Sequence, residues 1–214
     1  MNFVEQSIDK KEKKERPTFT DFLRGVFRGI LTRMGKTLAG WGIHPNVLTT
    51  SGLIGTTIGA FFVAQGQFLL GGIIVLFMGL VDGLDGAVAR ARGEPEDFGA
   101  FVDSVSDRYG ELVIFAALVW HYLQVGDATA VVLAYFAAAG SVLVSYVRAR
   151  GQSLNMDTKV GLMTRVERYM VLTPSLVFSI PIVGLWILAI GTNFTALQRI
   201  LHVRQQYYSR KRDE

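Results

Sequence analysis

Apolar residues in this chain come in long blocks, and the basic residues fall between the blocks. All 22 lysines and arginines lie in 1–36, 90–108, 148–168 or 199–212, and none occurs in 37–89, 109–147 or 169–198. About 20 apolar residues suffice for a helix to cross a bilayer, so each basic-free interval reads as two helices running out and back. The predicted spans are roughly 46–65, 68–91, 97–123, 128–150, 160–180 and 183–204. The last interval is short for a hairpin, so its two helices must carry charged ends. Gln65-Gly66-Gln67 and Gly126-Asp127 supply turns on the far side, and Pro181 fits the outer end of the fifth helix, which Pro174 could kink. All positive charge then lies on one side. The positive-inside rule makes that side cytoplasmic and places both termini there.

The pattern changes before residue 42. In 18–41, Phe22, Val26, Ile30, Met34 and Leu38 recur every four residues with Leu23, Phe27 and Leu31 beside them, while Arg24, Arg28, Arg33 and Lys36 fall outside those rows. That is an amphipathic helix for the membrane interface, with packing on a protein core as a compatible reading. Thr20 or Asp21 can cap its start. Residues 1–17 read as a disordered basic tail, 42–205 as the transmembrane domain and 206–214 as a charged cytoplasmic tail. The expected class is therefore all-α and integral to the membrane, with six transmembrane helices behind one interfacial helix.

Composition narrows this only a little. Half of the 214 residues are hydrophobic and there is no cysteine, which excludes disulfides and thiolate metal sites. The first sixteen residues are too polar for a cleavable signal peptide. The basic excess follows membrane topology, and no nucleic-acid partner is expected.

Chemistry concentrates between the second and third spans, where Asp82, Asp85, Asp103 and Asp107 sit among apolar segments. A carboxylate at membrane depth is costly without a cation, a partner or water. Asp82 and Asp85 are three apart and Asp103 and Asp107 four apart, so each pair shares a helix face. Gly93 and Pro95 lie in the turn between. Two antiparallel helices would bring the four carboxylates together, and they cannot all stay ionised without positive charge among them. Hard divalent cations, Mg²⁺ or Mn²⁺, suit such oxygen donors. Gly79, Gly83 and Gly86 line one face and permit close approach, by another helix at Gly79 and by a nucleotide at Gly83 and Gly86. Asn46, after His44-Pro45, reads as the N-cap of the first span. His121, beside Trp120 and Tyr122, belongs to an interfacial aromatic belt and is not read as a ligand. A second constellation, Arg148, Arg150, Lys159, Arg165 and Arg168, surrounds the loop before the fifth span and suits a phosphate-bearing substrate.

The series Asp82-x2-Asp85-Gly86-x2-Ala89-Arg90-x8-Gly99-x3-Asp103-x3-Asp107 resembles, without a gap or substitution, the signature of the CDP-alcohol phosphotransferases. The resemblance implies transfer of a phosphatidyl group from a CDP-linked lipid to an alcohol, with CMP leaving. It implies two metal ions, with Asp82 and Asp103 bridging, Asp85 on one metal, Asp107 on the other, and Asp107 as the catalytic base. It further implies a CDP-lipid pocket drawing on Asn46, Thr49, Gly83, Gly86, Arg90 and Glu96 or Asp97, and a homodimer. SYVRARG followed by Lys159-Val160-Gly161-Leu162 and Arg165-Val166-Glu167-Arg168 is similar to the phosphatidylinositol phosphate synthase branch and its archaeal counterparts. There Arg148, Arg150, Arg168 and Arg199 would hold the phosphate of inositol phosphate, although Arg148 stands where lysine is common. The implied donor is CDP-diacylglycerol and the implied acceptor inositol 1-phosphate, with glycerol 3-phosphate or a CDP-archaeol donor as alternatives. A divalent cation transporter is disfavoured, because the acidic cluster is confined to one end of the spans.

Overall fold

A computed structural model describes residues 19–93 and 97–213. The described residues form helices α1 (Phe19–Gly40), α2 (Pro45–Ala64), α3 (Phe68–Asp82), α4 (Asp85–Arg92), α5 (Asp97–Gln124), α6 (Ala128–Ser153), α7 (Arg165–Val177) and α8 (Pro181–Asp213), with no strand among them. Among the described residues, four stretches are long and apolar enough to cross a membrane: Pro45–Ala64, Phe68–Arg92, Ala128–Ser153 and Pro181–Arg212. The 1–17 tail, Glu96 and the side chains of Thr20 and Asp21 lie outside the described residues.

The boundaries depart from the sequence expectation in four places. His44, not Asn46, caps α2: its Nδ1 accepts the Asn46 N–H at 3.3 Å, and Pro45 takes the first helical position, where no N–H is needed. The predicted second span breaks at Gly83–Leu84, so Asp82 ends one helix and Asp85 starts the next. The helix after the arginine-rich loop begins at Arg165 rather than near 160, because 155–164 find their backbone partners on other elements. Pro181 opens α8 instead of closing α7, and α8 runs on through Asp213, so the charged stretch after 205 is helical. Pro174 lies inside α7, as expected.

Lipid removes most of the hydrophobic drive between helices, so close packing has to bind them. Small residues provide it. A Cβ on Gly71 would strike Val63 of α2, one on Gly72 the backbone of Leu176–Val177, one on Gly140 the Thr192 side chain and one on Gly184 Ser175. Phe115, Leu118, Leu176, Leu185 and Leu188 fill the space enclosed by α2, α3, α5, α6, α7 and α8. Large apolar side chains such as Phe61, Phe77, Leu80 and Ile190 point outward, as lipid-facing residues do. At the far side His121 meets Phe68 and Tyr122 edge-on, with ring centroids 4.8 and 5.2 Å apart, and covers the Gly66 turn. It packs among aromatic rings at the opposite end of α5 from Asp103 and Asp107.

The amphipathic helix α1 packs on α4. Gly35 lies against the backbone of Ala87, where a Cβ would come within 2.7 Å, and Leu31, Leu38 and Ala39 close over Leu84 and Val88. Ile30 and Met34 remain exposed on the outer side. The helix therefore joins the protein core along one row and offers a second apolar row outward. From Phe68 to Asp82 the 1.5 Å rise per residue gives about 21 Å, which separates the acidic cluster from the turn before α3.

Candidate metal and nucleotide site

The break between α3 and α4 and the first turns of α5 converge on one point. One carboxylate oxygen each from Asp82, Asp85 and Asp103 lies within 4.8 Å of the others. All three residues are half-buried. Asp107 joins them through Arg165, whose Nη2 donates to Asp82 Oδ2 at 2.6 Å and also pairs with Asp107 Oδ1. Arg108 lies 4.0 Å from the other Asp107 oxygen. Asp85 is oriented twice: its Oδ1 accepts the Gly86 N–H, and its Oδ2 accepts the Thr49 hydroxyl at 2.7 Å. Several hard oxygens converging in so small a space fit a divalent cation.

Two clefts flank this cluster. One runs past His44, Asn46, Thr49, Gly86, Arg90 and Arg92 to Asp85 and Asp103. A Cβ on Gly86 would come within 3.3 Å of the flexible end of the Arg90 guanidinium, and Gly99 lies beside the Asn46 side chain. The second is lined by polar Asp82, Asp107, Arg108, Glu111, Arg165 and Arg168 and by apolar Leu53, Val75, Ile114 and Leu172. The carboxylates form the wall between two chemically different spaces.

The predicted site residues divide accordingly. Asn46, Thr49, Gly86 and Arg90 come together on the first cleft. Gly83 ends α3 with ordinary helical φ of −61°, and a Cβ there would have normal contact distances, so sterics do not demand glycine. Gly79 does what the close-packing reading expects: Tyr169 sits directly on it and donates to the Val75 and Leu76 carbonyls at 2.8 and 3.0 Å. Thr49 is almost wholly buried and acts on Asp85, a role the sequence did not indicate.

The arginines separate. Arg168, only 3% exposed, holds Glu111 with two bonds of 2.7 and 2.9 Å. Arg199, 2% exposed, donates to the Val160 and Val144 carbonyls at 2.9 and 2.6 Å. Arg148 and Arg150 are exposed at the end of α6 and line neither cleft. Arg165, which the sequence grouped with the other arginines as a phosphate candidate, lies instead among the carboxylates. Glu111, one turn after Asp107 on the same helix, was not among the sequence candidates and is the partner of Arg168.

The CDP-alcohol phosphatidyltransferase family matches residues 42–197. The chain belongs to that family. Among its relatives, the archaetidylinositol phosphate synthase of Pyrococcus horikoshii is 35% identical over 178 residues, covering 82% of this chain and 92% of that protein. The phosphatidylinositol phosphate synthase of Streptomyces avermitilis is 31% identical over 201 residues, covering 86% and 82%. The crystal structure of Mycobacterium tuberculosis phosphatidylinositol phosphate synthase with CDP-DAG bound superposes with a TM-score of 0.77 at 29% identity, over 81% of this chain and 93% of that one. The same enzyme with manganese and citrate gives 0.75 over 81% and 88%, at 29% identity. For this member of the family, the motif from Asp82 to Asp107 lies wholly inside the matched region.

Proposed function

We propose that this chain transfers the phosphatidyl group of CDP-diacylglycerol to a hydroxyl of inositol 1-phosphate, giving phosphatidylinositol phosphate and CMP. One observation carries the reading: the carboxylates of Asp82, Asp85 and Asp103 converge, with Asp107 beside them, between a cleft shaped by the family motif and one lined by arginines. Asp82, Asp85, Asp103 and Asp107 would hold two divalent ions, Mg²⁺ or Mn²⁺, with Asp82 and Asp103 shared. Bound there, such ions neutralise a pyrophosphate and make its phosphorus electrophilic.

The chain's own groups do the rest. Thr49 keeps Asp85 turned toward the cluster. Asn46, Gly86 and Arg90 receive the nucleotide and pyrophosphate. The acceptor hydroxyl oxygen forms a bond to the lipid-bearing phosphorus, the bond to the CMP oxygen breaks, and Asp107 takes the hydroxyl proton. Arg165 and Arg168 stand on the acceptor side, Arg148 and Arg150 draw the anion to the cytoplasmic mouth, and Arg199 acts through the loop before α7. The apolar row of α1 borders the lipid tails.

This reading takes α2, α3–α4, α5, α6, α7 and α8 as six crossings, with the active site and both termini cytoplasmic. α7, about 20 Å long by its rise, can serve as a crossing because it starts at the depth of the carboxylates. Homodimerisation follows from the family resemblance. A CDP-archaeol donor is the second reading, favoured by the Pyrococcus relative at 35% identity.

The test is CMP release by purified protein with Mg²⁺, CDP-diacylglycerol or CDP-archaeol, and inositol 1-phosphate, glycerol 3-phosphate or serine offered separately. Release with inositol phosphate is expected. Release with glycerol 3-phosphate instead would keep the aspartate chemistry and overturn the acceptor.

A further inference from the structure

The segment from 155 to 164 has no helix of its own, yet it leads directly into Arg165 and Arg168. Its backbone groups need partners; the Asn155 and Met156 amides find theirs on the end of α6, and α8 supplies several of the others in antiparallel order. Arg210 Nη2 donates to the Asn155 carbonyl at 2.6 Å. Gln206 takes both backbone groups of Asp157, accepting its N–H at 3.0 Å and donating to its carbonyl at 2.6 Å. Arg199 holds the Val160 carbonyl at 2.9 Å, and Thr195 Oγ1 accepts the Met163 N–H at 3.0 Å. Positions 195, 199, 206 and 210 are four, seven and four apart, which puts them on one face of the helix. From the side, buried Thr158 fills the space over Gly151.

The family match ends at residue 197, so Arg199, Gln206 and Arg210 lie beyond it. We propose that the extension of α8 is a splint that sets the position of Arg165 for the acceptor phosphate, with Gln206 and Arg210 as positioning residues. Met163, the last backbone group held by α8, is two residues from Arg165, and a displacement near 1 Å can cost about a hundredfold in a reaction that depends on orientation. The inference rests on the proposed function for the nature of the acceptor, not for the splint.

The experiment compares full-length wild type with Gln206→Ala/Arg210→Ala and with Gln206→Glu, which keeps an acceptor for the Asp157 N–H but loses the donor. Backbone amide exchange is read over 154–164, and KM is measured separately for the acceptor and the CDP-lipid. In the double variant, exchange in 154–164 should rise roughly tenfold, with α2 and α5 matching wild type. The acceptor KM should rise roughly tenfold, the equivalent of one or two net hydrogen bonds, and the CDP-lipid KM should stay within about twofold. Gln206→Glu should fall between. Unchanged exchange, or acceptor and donor KM rising together, overturns the proposal. If wild type turns over glycerol 3-phosphate instead, the same comparison runs with that acceptor. If it turns over neither, exchange decides the splint alone.

Discussion

Thr49 shows how one side chain can matter to a metal site without being a ligand. Its hydroxyl spends its proton on Asp85, and a hydrogen bond to a charged group is worth about 1.5–3 kcal/mol. Thr49→Val should weaken Mn²⁺ binding by roughly ten- to a hundredfold in a titration without substrates, whereas Thr49→Ser stays near wild type. Equal affinity in all three would mean that Asp85 needs no orienting partner. The ligands themselves should behave differently: Asp103→Asn or Asp107→Asn should abolish divalent-dependent CMP release while the protein remains monodisperse. Glu111 and Arg168 make a third case. Removing one member of a buried pair strands the other charge, at a cost of about 3–5 kcal/mol. Glu111→Ala should therefore lower the melting temperature in detergent markedly, and Glu111→Ala/Arg168→Met should recover part of the loss. If the double variant is no better than the single one, the stability cost lies elsewhere than in the stranded guanidinium.

At the scale of elements, the break at Gly83–Leu84 places Asp82 and Asp85 at the end of one helix and the start of another, both facing α5. A continuous helix would fix their separation by helical geometry alone, whereas the bend lets α4 lean on α1 through Ala87 and Gly35. α3 is held in turn by Tyr169, which reaches two of its carbonyls over Gly79. Gly79→Ala forces methyl and hydroxyl into the same space, and overpacking of this kind costs about 1–3 kcal/mol. Tyr169→Phe removes the hydroxyl and loses its hydrogen bonds. The two changes together should cost less than the sum of the separate losses, measured by thermal unfolding. Strict additivity would separate the two residues energetically.

Across the whole molecule, the absence of cysteine makes topology directly measurable. Single cysteines at Gln65 and Gln124, both exposed in or beside the far-side turns, should react with a membrane-impermeant maleimide from outside the cell. Cysteines at Ser7 and Lys211 should react only after the membrane is opened. Labelling of both sets from one side would refute six crossings. The amino-acid sequence by itself determined the helical class, the side on which charge gathers and the four aspartates, because basic-free apolar runs and three- and four-residue spacings survive in one dimension. A family resemblance, carried by the fixed-spacing motif for Gly86 and Arg90 and by the entry to the first span for Asn46, implied that these residues belong near those aspartates, and one cleft is lined by all three with Asp85 and Asp103. The tertiary structure decided which partner each arginine meets. Arg148, Arg150, Arg165, Arg168 and Arg199 look alike in sequence, but Arg165 reaches the carboxylates, Arg168 is committed to Glu111 and Arg199 to backbone carbonyls. Their partners lie on other helices dozens of residues away. Which partner each guanidinium meets is set by how helices pack, and no local spacing records it.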